Sequence, residues 1–103
     1  MSDLVWSDSW VLLAVKYAQG EDSSASEEHV RHAGDYINHA IFTAKGMDPA
    51  VSVLGKMELL ELNDGRYSLG PRFEELWEAS GAGQKRGVHT QLELLKTALG
   101  IAS

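Results

Sequence analysis

Apolar residues recur along this chain at two different periods, and the change of period marks its elements. From about Ser7 or Asp8 to Gln19, Trp6, Trp10, Leu13, Ala14 and Tyr17 fall on one face of a helix. Leu12 and Val15 widen that stripe, which predicts a central helix capped by Ser7 or Asp8 and stopped by Gly20 in the left-handed position. The tryptophans read as core rather than as a stacking platform, because aromatic stripes at this spacing pack inward. Polar residues 20–26 predict a loop. A second helix begins at Ser26, carries Glu27 and Glu28 in its first turn, and buries Val30, Ala33, Ile37, Ala40 and Ile41 before ending near Ala40–Phe42. A third segment reaches about Met57. Either it begins near Ala44 and continues past Pro49, with Met47, Val51 and Leu54 on one face, or it is short and starts at Asp48-Pro49, a good cap followed by a good first residue.

The period then drops to two. In Leu59-Leu60-Glu61-Leu62-Asn63-Asp64-Gly65-Arg66-Tyr67-Ser68-Leu69, the Asp-Gly pair suits a two-residue hairpin turn that needs positive φ at both positions. That loop length pairs Leu62 with Tyr67, Glu61 with Ser68 and Leu60 with Leu69. Four large apolar side chains then share one face. A three-residue loop would mix the faces, and register is set by the buried face. Gly70-Pro71 ends the second strand and opens a fourth helix, with Pro71 near its first position and Phe73, Leu76 and Trp77 on its apolar edge. Residues 80–87, rich in glycine, predict a flexible linker. A closing helix spans about Val88 to Leu99.

Three helices followed by a hairpin form a mostly α, α+β layout, because a lone hairpin needs helices over its apolar face. The stretch Leu59 to Pro71 resembles the wing of bacterial winged-helix transcription regulators, which read Tyr-x-Leu-x-Pro before the next helix. It departs from them at Gly70, where many carry Thr or Ser. The stretch Asp35-Tyr36-Ile37-Asn38-His39-Ala40-Ile41-Phe42-Thr43 is similar to a segment of small bacterial winged-helix proteins to which no activity is attached. The resemblance implies a winged-helix domain over 1–79, two further helices after or within it, and DNA as a candidate partner. By position, Lys45, Ser52 and Lys56 would face the major groove and Arg66 would sit on the wing.

Charge pulls against that implication. The chain has 103 residues, 9 Lys plus Arg against 15 Asp plus Glu, and a net charge of −6. Affinity for DNA comes largely from neutralising phosphates. Yet residues 1–44 hold only Lys16 and Arg31 against seven acids, and residues 45–72 are neutral. The third segment also lacks Arg, Asn and Gln, the side chains that read bases bidentately. The competing reading is an acidic module that docks another protein. Val88, Leu92, Leu95 and Leu99 add a motive for self-association: after a linker at 80–87, the helix in 88–103 is a candidate homodimer interface. Its alternative is to fold back on its own domain.

No enzyme is expected. The absence of cysteine removes disulfides, thiolate metal sites and thiol nucleophiles. Serines lie in no nucleophile-elbow pattern, and Gly81-Ala82-Gly83-Gln84-Lys85 lacks the spacing of a phosphate loop. His29, His32, Asp35 and His39 share a helix at a spacing that two or three metal ligands can use. No fourth ligand is evident, so they read as polar surface, and neither metal nor cofactor is expected. No apolar run reaches the ~20 residues of a membrane span, nor does the N-terminus show a signal pattern, so a cytoplasmic location is expected.

Overall fold

The computed structural model describes residues 6–20, 22, 24–38, 44–85 and 87–100. In chain order these form α1 (Trp6–Gln19), β1 (Ala25–Ser26), α2 (Glu27–Asn38), α3 (Ala44–Lys56), β2 (Leu60–Asn63), β3 (Arg66–Leu69), α4 (Phe73–Ser80), a 3-10 turn (Ala82–Gln84) and α5 (Val88–Ala98). The three strands make one antiparallel sheet in the order β1-β3-β2. The chain is thus mostly helical with a small sheet, an α+β architecture.

Helix α1 is the axis of the core. Residues Ser9 to Val15 are all buried, and α1 touches α2, α3, β3 and α5. An all-round apolar sequence such as Trp10-Val11-Leu12-Leu13-Ala14-Val15 has no face suited to water, so only a central position satisfies it. The helix begins at Trp6, one residue earlier than expected, which places Ser7 and Asp8 inside its first turn rather than at the cap, with Asp8 buried. The Trp10 indole N–H donates to the Gly34 carbonyl at 2.9 Å, joining α1 to α2 across a buried contact. Gly20 ends α1 with φ 55°. Ser26 caps α2 through its hydroxyl, which accepts the His29 N–H at 3.2 Å. Val30 and Ile37 are buried as expected, whereas Ala40 and Ile41 lie outside the described residues.

Helix α3 takes the longer of its two alternatives, with Pro49 inside it. Met47 is fully buried and lies before Pro49. A helix starting at the proline would leave that anchor in a loop. Ala50 and Leu54 complete its buried face, and Pro49 itself points to solvent.

The hairpin has the two-residue register, with Leu60↔Leu69, Glu61↔Ser68, Leu62↔Tyr67 and Asn63↔Arg66 as partners. Asp64 and Gly65 take φ 52° and 76°, both in the left-handed region that this turn requires. One expectation needs correction. Leu60 and Tyr67 are buried and Leu69 is half-buried, but Leu62 is 46% exposed. Its partner Tyr67, on the central strand, is buried at the same level of the hairpin, so it is the place of Leu62 on the outer strand β2 that leaves it uncovered.

The segment 80–87 departs most from the flexible linker expected of it. The Ser80 hydroxyl donates to the Trp77 carbonyl at 2.7 Å and accepts the Ala82 N–H at 3.1 Å. Ala82 is fully buried. Gln91, also buried, donates through Nε2 to the carbonyls of Lys85 at 2.7 Å and Ala82 at 3.4 Å, while its Oε1 accepts the Tyr17 hydroxyl proton. One carboxamide thereby ties the turn, α5 and α1 together. Consequently α5 packs on α1, α4 and the 3-10 turn of its own chain. Leu92, Leu95 and Leu99 belong to the common core, and Val88 packs at its margin. Of the stripe read as a candidate dimer interface, Leu92, Leu95 and Leu99 are buried against the same chain and Val88 is half-buried, the fold-back alternative. Pro71 also falls two residues before α4 rather than at its first position. Among the described residues, no helix is long and apolar enough to cross a membrane.

Candidate interaction face

The outward side of α3 and the adjoining hairpin carry the residues singled out by position. Asp48, Ser52 and Lys56 follow one another at intervals of four on α3, which stacks them on a single exposed face. Lys45 stands in the first turn of α3, and its side chain lies outside the described residues. Arg66 opens β3 and is exposed, but its guanidinium is already engaged. Nε donates to the Ser24 hydroxyl at 2.8 Å and Nη2 donates to the Ser24 carbonyl at 3.3 Å. The structure therefore brings Ser52 and Lys56 together on α3, while Arg66, exposed on the hairpin, is hydrogen-bonded to Ser24. It fastens the hairpin to the segment leading into β1.

That fastening was not visible in the sequence. β1 is two residues long, pairing Ala25 with Tyr67 and Ser26 with Arg66, and so short a strand has no period to detect. At its inner end the hairpin is held a second way. The Leu69 N–H donates to Gln19 Oε1 at 3.0 Å, from the last residue of α1.

The exposed charges around α3 and the hairpin are mixed. Among the described side chains Lys56, Arg66 and Arg72 stand among Asp48, Glu58, Glu61 and Asp64, so no basic stripe forms there. Glu58 sits at φ 60° in the turn between α3 and β2, and its carbonyl accepts the Arg72 N–H at 3.0 Å.

Two carboxylates also act on a buried tyrosine. The Tyr67 phenol is pushed above its ordinary value of 10.0, first by burial and then by the fields of Glu27 and Asp48. Tyr17 is raised as well, by burial first and by Tyr36 second, against a lowering contribution from its bond to Gln91. The folded chain thus holds these two protons more tightly than the unfolded chain. The stability this represents is fully present below pH ~10 and is lost as the pH rises through the folded-state values. Urea denaturation at pH 9 and pH 11 should show the midpoint falling at the higher pH. Tyr67→Phe should shrink the fall, and an unchanged pH dependence in that variant would refute the assignment to Tyr67.

His29 and His32 are exposed, His39 lies outside the described residues, and no group of three or more metal-ligating side chains is found among the described residues. No protein-family model matches this sequence, and no curated protein or solved structure matches it either.

Proposed function

We propose that this chain is a winged-helix module that docks another protein and has no catalytic activity of its own. The winged-helix assignment draws on the order α1-β1-α2-α3-β2-β3, on the sheet order β1-β3-β2, and on the likeness of the hairpin to the wings of bacterial regulators. The single observation that carries the docking reading is electrostatic. The segment that such a fold would turn to DNA, residues 45–72, carries as many carboxylates as cations, and the wing arginine is bound to Ser24. A duplex with a phosphate charge every ~1.7 Å finds no excess of positive charge there. A protein with a basic or neutral surface is suited to it. The partner is a different protein rather than a second copy, since the α5 stripe lies inside its own core. A cytoplasmic setting suits a chain without cysteine.

The order of elements itself favours a second reading, a DNA-binding regulator acting through Lys45, Ser52, Lys56 and Arg66. A fluorescence titration against random duplex separates the two. At ~50 mM salt, tens of micromolar of a non-specific DNA-binding domain would saturate, because such affinities lie near 10⁻⁴–10⁻⁶ M even at physiological salt. The expected result is no binding. Saturable binding that weakens steeply with salt would overturn the docking reading.

A further inference from the structure

The hairpin has two outer sides, and they are finished differently. In a two-residue hairpin the residues flanking the turn exchange hydrogen bonds, and bonded and non-bonded pairs then alternate. Asn63 and Arg66 flank the turn, so Glu61 and Ser68 form the next bonded pair, and Leu59 with Gly70 the one after it. The Gly70 N–H does donate to the Leu59 carbonyl, at 2.9 Å. It follows that Leu62 and Tyr67 turn their backbone groups away from each other, as do Leu60 and Leu69. On the β3 side those outward groups are closed. Ala25 of β1 pairs with Tyr67, and Gln19 Oε1 takes the Leu69 N–H. On the β2 side, no hydrogen bond from any described residue reaches the backbone of Leu62.

The open edge has further character. Leu62 exposes nearly half of its side chain beside it. Glu58, Glu61 and Asp64 are exposed around it, and the Gly55 backbone of α3 lies beside the Leu60 carbonyl, so the free stretch centres on Leu62. We propose that the β2 edge accepts an extended segment of the partner protein as a fourth strand, with alternating apolar and basic residues. The apolar side chain opposite Leu62 would cover it, and the basic residues on either side would meet Glu61 on the other face. A second copy fits less well, since its own β2 would bring the same carboxylates to the same edge. The inference rests on the protein-docking reading and supplies the class of segment that reading calls for.

The probe is a capped peptide, Lys-Val-Lys-Val-Lys-Val-Lys, titrated into the full chain labelled with ¹⁵N. Amide shifts should be largest over residues 60–63, and the Leu62 N–H should gain protection from solvent exchange. Leu62→Pro removes an N–H that makes no bond to β3, and proline is tolerated on an edge strand in that phase. It should weaken binding by about tenfold, the scale of one backbone hydrogen bond. Leu62→Lys alters an exposed side chain and should weaken binding too; it provides a folded variant should the proline disturb the hairpin. A peptide N-methylated at its valines keeps the charge and loses the donors, so it should bind at least about tenfold more weakly. Equal affinity of that peptide, an unprotected Leu62 amide at saturation, or no binding at all would overturn the edge proposal. The duplex titration is independent. Peptide held by charge alone leaves the docking reading standing and removes only the edge, whereas DNA binding removes the docking reading.

Discussion

Gly70→Ala is expected to lower stability by about 3 kcal/mol, the upper range for forcing volume into a packed site. A β-carbon built on Gly70 would lie 2.3 Å from the Glu58 carbonyl oxygen, 2.6 Å from its carbon and 2.9 Å from the Leu59 carbonyl carbon. All three are backbone atoms, so no side chain can rotate away. The crowding has a structural origin. Here the chain leaving β3 runs directly against the turn between α3 and β2, held by the Gly70 N–H on Leu59 and the Arg72 N–H on Glu58. The turn itself is fixed by the positive φ of Glu58. The substitution must therefore break two hydrogen bonds or shift the whole turn. For a domain of this length 1 kcal/mol corresponds to roughly 4–8 °C, so a melting temperature lower by on the order of 15 °C is expected by circular dichroism. Gly20→Ala is the control. Gly20 has a left-handed φ but nothing within 4 Å of the added carbon. Its cost should be the conformational one alone, about 1 kcal/mol. If the two variants melt together, Gly70 is not held by the space between those backbones.

The same residue marks where sequence reading reached and where it stopped. Gly70 stood out as a departure from the wing pattern of the regulators, and its reason could not be read from its neighbours in sequence. It needs space because Glu58, twelve positions earlier, returns to it in three dimensions. The hairpin was legible in detail because everything that decides it is local. An Asp-Gly pair sets the turn, the period of two sets the faces, and the two together admit a single register. Helix α1 was legible because an unbroken apolar run can lie only at the centre. What sequence could not supply is long-range. Arg66 seemed a phosphate contact from its place on the wing, while its partner Ser24 lies 42 positions away, next to a strand of two residues. Gln91 resembled any polar residue on a helix, yet it fastens a turn, α5 and α1 at once. For the interaction face, the lack of a basic excess was readable from counts of charge. That β1 covers the β3 side of the hairpin, while no described residue pairs with the β2 side, depended on the position of β1, which carries no sequence pattern.

Leu95→Ala is expected to cost between about 2 and 5 kcal/mol, the range for emptying a fully buried leucine site. Leu95 has no exposed surface and lies in one core with residues of α1 and α4. The experiment separates two accounts of the closing helix. If α5 is part of the domain core, removing the Leu95 side chain lowers the melting temperature and leaves the mass in solution that of a single chain, with a midpoint that does not change with protein concentration. If α5 instead served to join two copies, the same substitution would dissociate a dimer, and the midpoint of the parent chain would rise with concentration by mass action. Monomeric mass with a concentration-independent midpoint is the expected result. The outcome also bears on the open edge of β2. With the closing helix spent on its own core, the large apolar side chains exposed among the described residues lie elsewhere, at Tyr36, Met57, Tyr17 and Leu62. Of these, only Leu62 sits on a strand at the margin of the sheet. A cost below about 1 kcal/mol, or a midpoint that climbs with concentration, would return α5 to the role of an interface and take from β2 its standing as the docking surface.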